Sequence, residues 1–207
     1  MSGLVRLNPS YMLTRVDDFA ARVVARATPI RFGVAQSQVD LEAVYRLRYR
    51  VVVERGWARP ESFPNSLERD IYDEIAVQIV AWDGDDIVAA NRLVLPTAGY
   101  QLPTEEVFGL KIETPSRVAD VSRTCRASAY KDAKGRVFWG LLCQTWIELR
   151  NRGGTDICGI FTAAVIRMYR GLGFHVEILG GPRKHWGEER YPVLIRPTES
   201  VDSFRYG

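Results

Sequence analysis

Apolar side chains recur at helical spacing in some stretches of the chain and at every second position in others, so helical and extended signals succeed one another along it. Residues 11–27, YMLTRVDDFAARVVARA, carry the helical spacing and stop before Pro29, which predicts an N-terminal helix. IRFGVA then reads as a strand. From Gln38 the segment VDLEAVYRLRYRVVVERGW begins as a helix, with Leu41, Val44, Tyr45 and Leu47 or Arg48 on adjoining faces, and drifts into a β-branched run at Val51 to Val53. ARPESFPNS is a loop by its prolines, Asn and Ser. EIAVQIVAWDGDDIVAANRLVLP predicts two strands around a turn at Asp83 to Asp86.

Residues 96–115 read as irregular, and SRVADVSRTCRAS alternates as a strand should. FWGLLCQTWIELRNRGG places Trp139, Leu142, Cys143 and Trp146 on one helical face and ends at Gly153 and Gly154, a helix with its C-cap. TDICGIF is a short buried strand, AAVIRMYRGLGF a helix running into Gly171 to Gly173, and HVEILGG a last long strand. PVLIRP closes the sheet or lies beside it. This order predicts an α/β (α+β) fold, a mixed central sheet flanked by helices, antiparallel at its start and parallel through a βαβ unit near its end. Such a sheet suits an acyltransferase, although many activities share it.

With 207 residues, 46% of them hydrophobic, there is material for one sizeable core, hence a single domain. No apolar run approaches the roughly 20 residues of a membrane helix. The N-terminus MSGLVRLNPSY lacks the apolar centre of a signal peptide, so the protein is expected to stay in the cytosol. Cys125, Cys143 and Cys158 are odd in number and widely spaced, without a partner pattern from His175 and His185, which argues against disulfides and metal. Charge is polarised beneath a net +3: residues 61–122 hold 4 basic and 12 acidic side chains, residues 123–166 hold 7 basic and 3 acidic. A basic patch fits a phosphate-bearing cofactor or an acidic protein as well as plain solvation, and no nucleic-acid motif or aromatic platform favours nucleic acid.

The acidic stretch is densest at LERDIYDE, where Glu68, Asp70 and Asp73 crowd around Tyr72. Like charges so close need solvent, a cation or a function. With LRYRVVVERGW before it, the segment resembles the signature of the acyl-homoserine lactone synthases, the autoinducer synthase family: Leu47, Arg48, Arg55 and Trp57 supply its first part, and Glu68, Asp70, Tyr72 and Asp73 its second. AANRLVLPT, with Arg92, resembles the family's Arg-Leu-Leu-Pro-Thr segment; VADVSRTCRAS, with Ser122 and Arg123, its Glu-x-Ser-Arg strand; and GLGFHVEILGGP its closing helix end and strand. The likeness runs collinearly over roughly residues 41–185. Val52 stands where the signature has Phe, the Arg55 to Trp57 interval is one residue short, and Asp120 replaces the glutamate. These departures fall near the family's acceptor pocket, so they bear on the acceptor rather than on the chemistry.

The resemblance implies a GNAT-type fold over residues 31–207, preceded by an N-terminal helix and linker over residues 1–30. It also implies transfer of a fatty acyl chain from acyl carrier protein, or acyl-coenzyme A, to the amine of S-adenosylmethionine, with no tightly bound cofactor. Relatives on the same fold acylate an amino acid such as tyrosine instead, and a GNAT-fold module that binds without catalysis is a third reading. Attack by an amine on a thioester needs a proton acceptor and an oxyanion site. Asp120 is the candidate base, or else a strand-end acid paired with an arginine. Alternation puts Ser122 on its face and Arg123 on the other unless a bulge intervenes.

By resemblance, Ser122 and Arg123 complete the catalytic set, and backbone N–H groups between splayed central strands serve the oxyanion. Asp70 and Asp73 would shape the acceptor site, neutralised by Arg48 and Arg92 through bidentate pairing. Trp57 is a lid residue or a core aromatic. The GNAT pyrophosphate loop has only a loose substitute in DAKGRVFWG, which favours a carrier-protein donor. Lys131, Lys134, Arg136, Arg150 and Arg152 are the candidate landing surface for an acidic carrier.

Overall fold

The computed structural model describes residues 9–113, 117–132 and 135–200. Helix α1 (Pro9–Ala25) leads into strand β1 (Arg31–Val34) and helix α2 (Gln38–Glu54). The Ser37 side chain caps α2 by accepting from the Asp40 backbone N–H. The β-branched run Val51 to Val53 stays helical, because Val51 and Val52 are buried and tertiary packing outweighs a weak local preference. Strands β2 (Val77–Asp83) and β3 (Asp86–Val94) form the expected hairpin. The stretch read as irregular contains a short helix, α3 (Pro103–Phe108), opened by Pro103 and by Glu105, which accepts from the Leu102 backbone N–H.

Strand β4 (Val118–Arg126), helix α4 (Arg136–Asn151) and strand β5 (Asp156–Phe161) make the parallel βαβ unit. Helix α5 (Ala163–Gly171) and strands β6 (Val176–Ile178), β7 (Arg183–His185) and β8 (Glu188–Ile195) complete the chain. The sheet order is β1-β2-β3-β4-β5-β8-β6, with β7 paired to β8. HVEILGG is therefore a three-residue edge strand, and PVLIRP belongs to the long strand, inserted between β5 and β6. The apolar run Val193, Leu194 and Ile195, all buried, suits an interior strand.

Helices α1 and α4 cover one face of the sheet over Ile79, Leu93, Ala119, Val121, Ile157 and Val193. Val16 and Ala20 of α1 lie in that core, so the N-terminal helix packs into the same domain. Helix α2 covers the other face over Val80 and Ala90, and a third cluster around Tyr72, Val94, Val118, Cys158 and Leu194 continues beneath α3. Gln78, Arg92, Asp120 and Ser122 lie two or four positions from these residues along their strands and so share the face that α2 covers.

Two irregularities open the sheet. Ala90 pairs with Cys125 but Arg92 with Ser122, so Arg123 and Thr124 together oppose Asn91, and Arg123 takes φ +56°. Beyond Asp120 and Cys158 the ladder between β4 and β5 ends although both strands continue, so their inner edges part. Gly159 sits at the parting: a Cβ there would lie 2.4 Å from the Phe161 ring and 2.9 Å from the Val121 carbonyl oxygen. Gly159→Ala is expected to destabilise the protein by about 1–3 kcal/mol, the usual cost of overpacking, read as a lowered Tm. An unchanged Tm would show that the strands can part further at no cost.

Candidate active site

Three arginines and three carboxylates close a ring on the α2 face. Arg48 grips Asp73 through two hydrogen bonds, 2.7 and 3.0 Å, and its Nε donates to Glu68. Glu68 Oε1 accepts from Arg123 Nε at 3.0 Å, and Arg123 donates to Asp70 Oδ2 at 2.8 Å. Arg92 closes the circuit, donating to Asp70 Oδ1 at 2.5 Å and reaching Asp73 Oδ1 at 3.4 Å. Gln78 adds a 2.8 Å bond to Asp73, and the Asp70 side chain caps a 3-10 turn (Ile71–Glu74) that places Asp73 under Arg48. The crowding at LERDIYDE is thus resolved by cations from α2, β3 and β4.

The ring is deep. Arg48, Arg92 and Glu68 are at most 2% exposed. Burial works against the charge of Arg48, but Glu68 and Asp73 outweigh it and hold its pKa above the usual guanidinium value. Burial likewise opposes ionised Asp73, yet Arg48 and Arg92 keep it below the ordinary carboxylate range. Arg123 moves the other way: burial, with Arg92 and Arg48 close by, lowers it despite Glu68. Arg123 reaches the ring only because of the bulge, since strict alternation would turn it toward α4.

A cavity of about 400 Å³ opens beside the ring, where β4 and β5 part. Phe138 and Leu142 of α4, Ile160 of β5, and Val165, Met168 and Tyr169 of α5 line it with apolar surface. Glu68, Asp70, Arg92, Ser122, Arg123 and Arg190 line it with polar surface. Trp57 belongs to the lining and stacks with Arg55 at 4.9 Å and Arg190 at 5.1 Å, which makes it a wall of the cavity and not a core aromatic. Val52 lines the same cavity.

Asp120 does not line it. Its side chain is wholly buried, and Oδ2 accepts from the Thr104 backbone N–H at 2.9 Å and the Thr104 hydroxyl at 2.5 Å. Oδ1 has no hydrogen-bond partner. Burial raises the Asp120 pKa against the opposing influence of Thr104, Arg92 and Ser122. The candidate base thus lies off the cavity, while Ser122, two positions along the same strand face, does line it and accepts from Arg92 Nε at 3.2 Å. Cys125 faces the cavity as a thiol, its pKa pushed up to about 11 by burial, and buried Cys143 rises to about 12, which leaves neither as a nucleophile at neutral pH. Among the described residues no group of three His, Cys, Asp or Glu is arranged to hold a metal ion.

The candidate landing surface divides. Lys131 and Arg136 lie exposed, one ahead of α4 and the other at its first residue, where Arg136 borders a second pocket with Phe19 and Val23 of α1. Arg150 and Arg152 are fourteen or more residues further along, roughly 21 Å at the helical rise. There Arg150 bonds Asp17 of α1 and the Gly154 carbonyl, and Arg152 pairs with Glu148. Those two arginines serve the helix and its packing. Lys134 lies outside the described residues.

Several cavity residues escaped the sequence reading. Glu106 of α3 accepts from the Tyr72 hydroxyl at 2.6 Å. The β7–β8 hairpin, RKHWGEER, supplies His185, Trp186, Glu188 and Arg190. Its two-residue loop has φ +50° at Trp186 and +73° at Gly187, and Trp186 stacks on Arg123 at 4.7 Å. Burial, then Arg123 and Arg190, pulls His185 down to about 4, so it is neutral at neutral pH. The legible signal was Gly187 between two charged runs, the mark of a tight hairpin.

Arg48→Ala strands Glu68 and Asp73 in the interior and is expected to cost about 3–5 kcal/mol in denaturant unfolding, as breaking one side of a buried ion pair does. Asp73→Ala combined with it should cost less than the sum of the two changes, since they break one network. Strict additivity would mean that the two side chains act separately.

Among solved structures, TofI in a ternary complex with an inhibitor and MTA is similar over 86% of this chain and 97% of its own, at 24% identity and a TM-score of 0.65. The AHL synthase LasI is similar over 86% and 94%, at 20% identity and a TM-score of 0.68. FeeM, an N-acyl amino acid synthase from uncultured soil microbes, matches over 86% and 98%, at 12% identity and a TM-score of 0.65. At such identities these likenesses establish the fold, the GNAT-like one that the sequence suggested. The model of the N-acyl amino acid synthase FeeM family matches residues 43–195, a span that contains the arginine–carboxylate ring, the parted strands and most of the cavity wall. The chain belongs to the FeeM family of N-acyl amino acid synthases, and is an acyltransferase.

Proposed function

We propose that the protein transfers a fatty acyl chain from an acyl-carrier-protein thioester to the α-amine of an amino acid. One observation carries the choice of acceptor: every carboxylate lining the cavity already has a partner, while the Arg55 guanidinium has no carboxylate partner among the described residues. Glu68 and Asp70 are held by arginines, Glu188 by Arg190, and Glu106 by the Tyr72 hydroxyl. A cavity so arranged suits an acceptor that brings a carboxylate, as S-adenosylmethionine and a plain amino acid both do, so the sulfonium decides between them. Three of its four lining carboxylates are already neutralised by arginines, and only Glu106, held by a neutral hydroxyl, is left to face the permanent sulfonium cation that the lactone-synthase reading with S-adenosylmethionine requires. Val52, smaller than the signature's Phe, leaves room beside the ring for an acceptor side chain.

In the reaction the amine nitrogen bonds to the thioester carbonyl carbon, the C–S bond breaks, and the amine's proton is lost as the pantetheine sulfur leaves as a thiol. The apolar lining from α4, β5 and α5 takes the acyl chain, and peptide groups along the parted edges of β4 and β5 face the developing oxyanion. Asp120 has the environment of a proton acceptor, a buried carboxylate of raised pKa with one free oxygen, and it acts through the Ser122 hydroxyl. The donor follows from the start of α4. Asp132 accepts from the Val137 and Phe138 backbone N–H groups, both at 3.0 Å. Those amides, which at a helix start would bind a phosphate, are already engaged by a carboxylate that repels the pyrophosphate of coenzyme A. A carrier protein needs no such site, and exposed Lys131 and Arg136 suit its acidic surface.

Lipid extracts of cells expressing the protein should contain N-acyl amino acids by mass spectrometry, and the purified protein should turn over acyl-carrier-protein faster than the same acyl-coenzyme A. An acyl-homoserine lactone as the product would overturn the acceptor, and absence of any new lipid would sink the activity. Asp120→Asn, which can still accept from Thr104, should fold normally and lose on the order of a hundredfold in turnover, the contribution of a general base. Near-normal turnover by the folded variant would remove Asp120 from proton transfer.

A further inference from the structure

The hairpin between β7 and β8 presses on the wall of the cavity. A Cβ at Gly187 would lie 2.8 Å from Trp57 Cδ1, so the turn rests directly on the indole. Two guanidinium groups meet the same ring, Arg55 at the end of α2 and Arg190 at the start of β8. Their hydrogen bonding sets them apart from the ring arginines. Arg48, Arg92 and Arg123 each bond at least two carboxylates, whereas Arg190 bonds only Glu188, at 2.7 Å, and Arg55 has no carboxylate among the described residues. The Arg190 Nε is buried and has no hydrogen-bond partner. A buried N–H of a charged group left unpaired is costly, and a guanidinium offers five donors in a planar fork matched to a carboxylate. Arg190 and Trp57 both line the cavity that holds Ser122.

We propose that Arg190, seconded by Arg55 against the Trp57 indole, is the binding site for the acceptor's α-carboxylate, an assignment that rests on the amino-acid reading above. The Arg190 guanidinium supplies the hydrogen bonds that fix the acid, and Arg55 supplies the unneutralised charge that attracts it. The neutral His185 adds no competing ion. Held at that end, an α-amino acid has its amine two bonds from its carboxylate carbon and presents it along the cavity toward the parted strands.

Calorimetric binding of N-dodecanoyl-L-tyrosine and of its carboxamide tests the site without turnover. The whole protein should bind the acid about tenfold to a hundredfold more tightly than the amide, the span expected for a hydrogen bond to a charged group. In Arg190→Gln that preference should vanish, with Tm and affinity for the amide unchanged. If Arg190→Gln fails to fold, Arg55→Gln, at an exposed side chain, decides alone: a clear loss of the preference supports the site. Equal binding of acid and amide by the unaltered protein, or a preference that survives in every folded variant, would overturn it. A failed amino-acid reading looks different: the acid preference stays and depends on Arg190, while expressing cells accumulate no N-acyl amino acid.

Discussion

The ring of Arg48, Glu68, Arg123, Asp70, Arg92 and Asp73 is the interaction on which the rest of the site depends. Six charges in a largely desolvated interior are tolerable only as a closed set, because each unpaired member would carry the desolvation penalty of an ion without its counter-charge. Closure also ties the 3-10 turn after the proline-rich loop to helix α2 and strands β3 and β4, which sheet pairing and apolar packing already bring together. The wall of the cavity is therefore set by charge pairing, while the apolar lining from α4, β5 and α5 is set by ordinary packing.

Two backbone irregularities meet where the ring and the cavity touch. Arg123 and Trp186, both non-glycine residues in the left-handed region, lie against one another. The β4 bulge turns Arg123 inward, and the hairpin turn brings Trp186 over it. Such conformations cost of order 1–3 kcal/mol each and persist when the surroundings over-determine them. Here two carboxylates hold Arg123 from below and an indole covers it. A regular β4 would leave Glu68 and Asp70 each short of a cation and put a guanidinium among the apolar side chains under α4.

Much of this was legible in the chain. The hairpin at Asp83 to Asp86, the helix over FWGLLCQTWIELRN and the strand TDICGIF carry their periodicity and their stops within themselves, and the structure reproduces them. Short-range signals failed where a long-range partner decides. Val51 to Val53 stays helical because β3 and β4 bury it, HVEILGG shrinks to three residues because β8 takes the interior position, and α3 emerges from a stretch without periodicity because Thr104 docks on Asp120. Arg150 read as a docking cation and is held instead by Asp17, 133 positions away in the chain.

The sequence by itself determined the fold class, the order of most elements, and the residues of the signature, Arg48, Asp70, Asp73, Arg92, Ser122 and Arg123, because periodicity, turn residues and a collinear motif are local properties. Tertiary structure alone decided which of them touch: that Glu68 completes the ring, that Asp120 lies off the cavity, that Asp132 closes the start of α4, and that Arg190 keeps an unpaired donor beside Trp57. Charge pairing and burial depend on distance in space, and spacing along a chain does not report that distance once a bulge or a hairpin turn has changed where a side chain points.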